Sequence, residues 1–326
     1  MSKVSVIIPV YSVEGYIERC ARSLFEQTLD SIEFLFIDDC TPDRSIDILN
    51  RIIAEYPQRK DQIIIHKMEK NSGQAAVRKW GMLNATGDYI IHCDSDDWVD
   101  STMYEKMYTN AIKNDADVVI CGYYISDYNG LHKQCSSVKC SDKSSMIADL
   151  LKFDDWCVWN KLVKRSIFNR RDYIFPKENM GEDVLMTIQN LYFAQKISYV
   201  EEPLYNYFLN NSSITHQISP QKLLDTFSQC MNNIDMVCSF VENNGDSKMI
   251  ETLDALKFVK KNMLLNSNNE LLIRRWESTY QMSFYNILFN KYIPYKDMIW
   301  AWGKLIKYKS INFYYEKSNC YRRKSS

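Results

Sequence analysis

Gly87-Asp-Tyr-Ile-Ile-His-Cys-Asp-Ser-Asp-Asp-Trp98 is the stretch on which the fold turns. Tyr89-Ile90-Ile91 is a short apolar run of the kind that makes a buried strand, and it delivers Asp94, Asp96 and Asp97 to that strand's carboxyl end. Upstream, strand and helix periodicities alternate. Val4 to Val10 reads as a first buried strand, Ile17, Cys20, Ala21, Leu24 and Phe25 recur at helical spacing, and Phe34 to Ile37 is a second strand ending in Asp38-Asp39. Thr41 suits an N-cap and Pro42 a first turn for a helix carrying Ile46, Ile48 and Leu49; Ile63-Ile64-Ile65 reads as a third strand and Ala75 to Leu83 as a third helix. The alternation predicts an α/β fold, a mostly parallel sheet covered by helices. Ligands of such sheets bind beyond the carboxyl ends of the strands, where Asp38-Asp39 and Asp94 to Asp97 fall.

Downstream, the pattern predicts a helix over Met103 to Lys113, a strand at Val118 to Cys121, and a polar insertion or loop over residues 126 to 145. Trp156 to Phe168 and Val184 to Ala194 have helical spacing, and Ile197 to Val200 reads as a short strand. Residues 220 to 310 read as successive helices. This divides the chain into 1–215, the α/β part, and 216–326, a helical extension.

With 40 Lys+Arg against 41 Asp+Glu and 46 % hydrophobic residues over 326 positions, the composition is globular and gives no general reason to bind nucleic acid. Ten cysteines without a Cys-x-x-Cys pair, beside four histidines, spell neither a zinc site nor a redox motif and suit a reducing cytoplasm. The first ten residues read as a strand broken by Pro9, not a secretory signal, and no run is long and apolar enough to span a bilayer. Charge is uneven. Residues 291–326 hold nine Lys/Arg and two Asp/Glu, a net of +7, which against −1 overall leaves −8 on residues 1–290. Nine aromatics are interleaved there, a pattern that suits either a membrane interface or a solvated helical end packed on the body.

Three carboxylates within four residues repel one another unless a cation or helix dipole compensates. A hard ion such as Mg²⁺ or Mn²⁺, held by one or two carboxylates and by substrate phosphate oxygens, suits Asp94 and Asp96, while Asp97 or Asp100 suits capping of the helix that follows Ser101. Asp38 and Asp39 suit either a ligand or the bonding of their own turn. Arg78, after Asn71-Ser-Gly73, is either a surface residue of its helix or a guanidinium aimed at a phosphate or base. Glu182-Asp183 suits the first turn of the Val184 helix electrostatically. The absence of Gly-x-Gly-x-x-Gly and Gly-x-x-x-x-Gly-Lys-Ser/Thr disfavours a dinucleotide dehydrogenase and a P-loop nucleotidase.

Together, Val6-Ile-Ile-Pro-Val-Tyr11, Glu14, Gln27-Thr28, Asp38-Asp39, Asn71, Gly73, Arg78, Gly87-Asp-Tyr-Ile90 and Asp94-Ser-Asp-Asp-Trp98 resemble the family-two glycosyltransferases of the GT-A fold. The likeness continues more loosely through Trp159-Asn-Lys-Leu162, Gly181-Glu-Asp183 and Tyr205 to Thr215. It implies that Pro9, Val10 and Tyr11 lie against the donor's nucleobase, that Glu14 borders the nucleotide, that Asp39 accepts from a uracil ring, and that Asn71 and Arg78 complete the pocket. It further implies that Asp94, with Ser95 beside it, meets the ribose, that Asp96 holds Mn²⁺ or Mg²⁺, and that Asp183 is the catalytic base with Glu182 contacting or orienting the acceptor. The activity so implied is inverting hexosyl or N-acetylhexosaminyl transfer from a nucleotide sugar, most simply UDP-linked, to a hydroxyl of a growing glycan or lipid-linked saccharide. A chain of that type builds surface polysaccharide or lipopolysaccharide, in the cytoplasm or peripherally at the inner face of the plasma membrane. Trp159 suits either a sugar-stacking role or the core, and Lys161 shares that ambiguity.

The sequence departs from the family pattern in three places. Ser12 stands where Asn is frequent, Lys79 follows Arg78 where Asn is frequent, and Phe208 follows Tyr207 where an Arg is common, leaving His216 as one substitute cation. That missing Arg keeps open a non-catalytic nucleotide-sugar-binding module. A nucleotidyltransferase, the third reading, lacks the Gly-rich triphosphate loop it would need.

Overall fold

The computed structural model describes residues 2–130, 132–135, 142–153, 156–209, 219–266, 269–282 and 284–307. Residues 131 and 136–141 of the 126–145 insertion, the end of the Tyr205 to Thr215 motif with His216, the 215/216 division and the tail from 308 onward lie outside the described residues.

The first half follows the alternation of the sequence. Strand β1 (Val4–Val10) is followed by α1 (Ile17–Phe25), β2 (Ile32–Asp38), α2 (Ser45–Glu55), β3 (Ile63–Lys67), α3 (Gln74–Asn84) and β4 (Tyr89–His92). A two-residue strand β5 (Trp98–Val99) and α4 (Met103–Asn114) lead into β6 (Val118–Ser126) and β7 (His132–Cys135). Then come α5 (Lys143–Phe153), β8 (Lys161–Lys164), α6 (Glu182–Phe193) and β9 (Ile197–Phe208). Helices α7 (Pro220–Asn244), α8 (Ser247–Glu251), α9 (Leu253–Lys261), α10 (Glu270–Ser278) and α11 (Phe284–Leu288) follow, and residues 295–307 are helical.

The strands form one mixed sheet in the order β3-β2-β1-β4-β8-β6-β9-β5, with β7 on β6. Its parallel part is β3-β2-β1-β4; β8 runs antiparallel to both β4 and β6, and β9 is parallel to β6. Both faces are covered, so neighbouring residues of one strand enter opposite cores. Val4, Val6, Ile8 and Val10 join the cluster under α1, α2 and α4, whereas Ile7, Leu35 and Ile37 join the cluster that holds α6 and the C-terminal helices.

Several local expectations are corrected. Trp156 to Phe168 is not a helix: Lys161–Lys164 is drawn into the sheet by pairing with Tyr89-Ile90 and Val118 to Ile120. Thr41 does not cap α2, which starts at Ser45; its hydroxyl instead donates to Asp43 Oδ1 at 2.7 Å, and the Asp43 carboxylate accepts from the Ser45 amide. The strand at 197 runs on to Phe208, and part of the polar insertion, His132–Cys135, is a strand. Ile64 and Ile65 are exposed because β3 is the edge of the sheet.

Candidate active site

Asp94 to Asp97 leave the end of β4 in a tight turn closed by the Asp97 amide donating to the Asp94 carbonyl at 3.1 Å. Asp97 is fully buried and caps no helix. Its Oδ2 accepts from the Tyr205 hydroxyl at 2.6 Å and its Oδ1 from the Phe208 amide at 2.7 Å, while the Asp94 amide donates to the same Tyr205 oxygen at 3.1 Å. The acidic turn is thereby fastened to β9. Asp100 carries the capping expectation in part: its Oδ1 accepts from the Thr102 amide at 2.8 Å, just before α4. On the other side of the turn, the Arg19 guanidinium of α1 lies 3.8 Å from the Trp98 ring and 4.4 Å from that of Phe208, and donates to the Asp96 carbonyl at 2.7 Å. Arg19 thus brings a cation against Phe208, the position where the family pattern more often has Arg.

Arg78 is buried, 3 % exposed, and is not a surface residue of its helix. Its fork donates through Nη1 to Glu182 Oε1 at 2.7 Å and through Nη2 to Asp94 Oδ1 at 2.8 Å, joining the end of β4 to the start of α6. Burial of the guanidinium is outweighed by Asp94, Glu182 and Asp183, which raise its pKa and keep it charged. Burial also pushes the Glu182 carboxyl up to about 8; Arg78 pulls it down, and Asp183 and Asp94 repel it. His92, the last residue of β4 and two positions before Asp94, is buried without a hydrogen bond to either ring nitrogen and is held well below its ordinary pKa by burial and by Arg78, so its ring is neutral. Gly181, at φ +77°, gives the left-handed bend that starts α6 and sets Glu182 and Asp183 on its first turn.

The residues assigned to the nucleotide lie along the ends of β1 and β2. Val10 is buried, Tyr11 is 47 % exposed, and Glu14 is exposed with Oε2 accepting from the Arg44 amide at 3.1 Å. Asp39 binds its own neighbourhood: its two oxygens accept from the Ser72 and Gly73 amides at 2.7 and 2.8 Å, holding the turn whose Asn71 is exposed. Gly73 has φ +82°, and a Cβ there would fall 2.1 Å from the Asn179 side chain, whose Oδ1 accepts from the Ala75 amide at 3.1 Å. Ser12, at φ +54°, occupies the left-handed region that Asn tolerates better, a physical reason for Asn at this position.

Beside this strip opens a cavity of ≈ 640 Å³ that Arg78, Asp94, Glu182 and Asp183 line together with Trp159 and Tyr207. Its far wall is Cys230 of α7 with Val259 and Lys260 of α9. Asp96, Asp39, Asn71 and Pro9 to Tyr11 do not line it, so the residues that the family resemblance assigns to the nucleotide lie outside the cavity except at Asp94 and Arg78. Trp159 is core: it stacks on Tyr205 with centroids 4.2 Å apart and an interplanar angle of 12°. Lys161 is buried and donates to the Cys157 carbonyl at 2.6 Å and to Asn160 Oδ1 at 2.9 Å, pinning the loop that presents Trp159.

A divalent ion fits Asp96 chemically. Burial, reinforced by Asp94, pushes the Asp96 carboxyl up to about 6, the mark of a carboxylate short of positive charge. Among the described residues no group of three or more His, Cys, Asp or Glu could hold a metal unaided, so oxygens from a bound diphosphate would have to complete the shell.

Residues 5–171 match the family model described as glycosyl transferase family 2, more than half of the chain. The chain belongs to glycosyl transferase family 2. One family relative is the uncharacterized glycosyltransferase EpsJ of Bacillus subtilis, 33 % identical over 221 residues that cover 65 % of this chain and 62 % of EpsJ. Thus the match spans less than two thirds of EpsJ's length. Among solved structures, residues 1–349 of Staphylococcus aureus TarS in complex with UDP-GlcNAc share the fold with a TM-score of 0.67 at 17 % identity, covering 97 % of this chain and 92 % of that one. The mannosyltransferase PcManGT of Pyrobaculum calidifontis, in complex with GDP-Man and Mn²⁺, has a TM-score of 0.50 at 14 % identity over 93 % of this chain and 86 % of its own. The GT-A architecture with its helical extension is therefore the fold of this family 2 chain. The family match contains Asp39, Arg78, Asp94 and Asp96 and ends before Glu182-Asp183, which the Arg78 fork brings to the same place. Reading the sequence missed Arg19, Asp97 and Tyr205 as supports of the acidic turn. Each carried only a local signal, a helical position, a cap or an aromatic strand residue.

Proposed function

We propose that this chain is an inverting, metal-dependent glycosyltransferase that moves a hexosyl or N-acetylhexosaminyl unit from a UDP-sugar to a hydroxyl of a growing glycan or lipid-linked saccharide. The observation that carries the reading is the Arg78 fork, which holds Asp94 of the nucleotide-side strip and Glu182 of the cavity within one hydrogen bond of the same guanidinium. Donor and acceptor zones meet there. The UDP assignment draws on the UDP-GlcNAc complex of the TarS fold neighbour and the metal on the Mn²⁺ in PcManGT.

Pro9, Val10, Tyr11, Glu14, Asp39 and Asn71 border the nucleotide, and Asp94 with Ser95 meets the ribose. Asp96 holds Mn²⁺ or Mg²⁺, which when bound offsets the charge gathering on the leaving diphosphate. Asp183, lining the cavity, takes the proton of the acceptor hydroxyl as that oxygen bonds to the anomeric carbon. The bond from that carbon to the diphosphate breaks on the opposite face, its electron pair leaving with UDP, and the centre inverts. Glu182, gripped by Arg78, fixes the first turn of α6 and hence the position of Asp183. The work of such an enzyme belongs to surface polysaccharide or lipopolysaccharide synthesis, at the inner face of the plasma membrane when the acceptor is lipid-linked.

Release of UDP from a panel of UDP-sugars, with and without Mn²⁺ or Mg²⁺, tests this. Wild-type release should require the metal, vanish in Asp96→Ala, and fall on the order of a hundredfold or more in Asp183→Asn while UDP binding persists. Failure to bind any nucleotide with metal present would overturn the assignment, and binding without turnover on any lipid-linked acceptor would leave a nucleotide-sugar-binding module.

A further inference from the structure

The C-terminal helical segment shows a face that the catalytic reading does not use. Along residues 288–307, Phe289, Tyr295, Ile299 and Ile306 are 65, 74, 68 and 63 % exposed, and Trp300 is exposed beside them. The opposite side, Ile293, Met298, Ala301 and Leu305, is buried in the core cluster of the helical region. Tyr295, Ile299 and Ile306 recur at helical spacing, so the exposed apolar groups form one stripe along the helix of residues 295–307. Lysines flank it: Lys296 and Lys307 are exposed, and Lys304 lies with its ammonium 5.6 Å from the Trp300 ring centroid. Asp297 is the segment's one acidic side chain and is half-buried.

We infer that this face docks the protein on an anionic lipid bilayer, with Tyr295, Ile299, Trp300 and Ile306 entering the interface and the lysines meeting the headgroups. Charge selects this occupant. Residues 291–307 hold four lysines against the single carboxylate of Asp297, so an anionic surface attracts the face that carries the stripe. The ring chemistry agrees, because Trp and Tyr beside Lys match the polarity gradient at headgroup depth. No described helix is long and apolar enough to cross a membrane, so the stripe lies in the interface plane. The docking does not depend on the donor assignment, since donor hydrolysis can be followed without lipid.

The full chain is sedimented with vesicles of phosphatidylcholine alone and with vesicles rich in phosphatidylglycerol, comparing wild type with Ile299→Ser/Ile306→Ser, and its mass in solution is followed by light scattering. Binding should be confined to the anionic vesicles, weaken in high salt, blue-shift tryptophan fluorescence, and drop about tenfold or more in the double variant. The variant's thermal midpoint and lipid-free UDP release should match wild type, because both isoleucines are exposed and far in sequence from the site. Equal vesicle binding by variant and wild type, no binding by wild type, or a dimer that the substitutions dissociate would each overturn the inference, the last by giving the stripe to a second copy of the chain.

Discussion

Glu182 shares one guanidinium with Asp94 while Asp183 stands next to it, so three carboxylates divide a single buried positive charge. The shortfall makes the site pH-sensitive in a definite direction. Burial raises the Glu182 carboxyl to about 8, against about 4.3 in an unfolded chain, so between those values the folded protein holds a proton that the unfolded one has lost. The stabilisation is complete below the unfolded value and is lost as pH rises through about 8. His92 acts oppositely at the acid end: neutral when folded and protonated when unfolded below about 6.5, it lowers stability as pH falls. The thermal midpoint should therefore fall between about pH 6 and pH 9 in the absence of ligand. Glu182→Gln, which keeps an oxygen for Arg78 but no titrating proton, should flatten that limb. A wild-type midpoint that stays level over the same range would mean that Glu182 is ionised throughout.

The element that most constrains the acidic turn is β9, acting through Tyr205. Its hydroxyl donates to Asp97 and accepts from the Asp94 amide, and its ring stacks on Trp159. Tyr205→Phe keeps the stack and removes both hydrogen bonds, leaving a buried carboxylate oxygen and a buried amide without that partner. A loss of about 2 kcal/mol in urea denaturation is expected, together with weaker metal-dependent UDP binding as the turn loosens. Unchanged stability would show that Asp97 finds another donor. This pair also marks the limit of what a local reading reaches. Strands β1, β2 and β4 are mostly apolar runs and were legible, as was the acidic turn at the end of β4. The role of Asp97 was not, because its partner lies 108 positions away, and Arg78 meets Glu182 across 104. Lys161–Lys164 was misread as helix for the same reason: four residues in a stretch of helical apolar spacing become a strand only because β4 and β6 flank them.

At the scale of the whole molecule, the helices after residue 219 share a core with the sheet. Ile7, Leu35 and Ile90 of the sheet belong to the same apolar cluster as Phe227 and Ile234 of α7, Leu256 of α9 and Leu305 near the end of the described chain. The far wall of the cavity comes from the same helices, through Cys230, Val259 and Lys260. A chain cut at Thr215 would uncover one face of α6 and with it part of the wall of the cavity. Exposing that much apolar surface costs about 25 cal/mol for every Å², more than the margin that keeps a domain folded. The full chain should therefore unfold in a single transition, coincident when followed by far-ultraviolet circular dichroism, which weights helices, and by tryptophan fluorescence, to which Trp98 and Trp159 contribute from the sheet side. The shortened chain should be insoluble or molten. Two separated transitions, with the helical signal lost first and the sheet intact, would instead establish the helical extension as a unit that folds by itself.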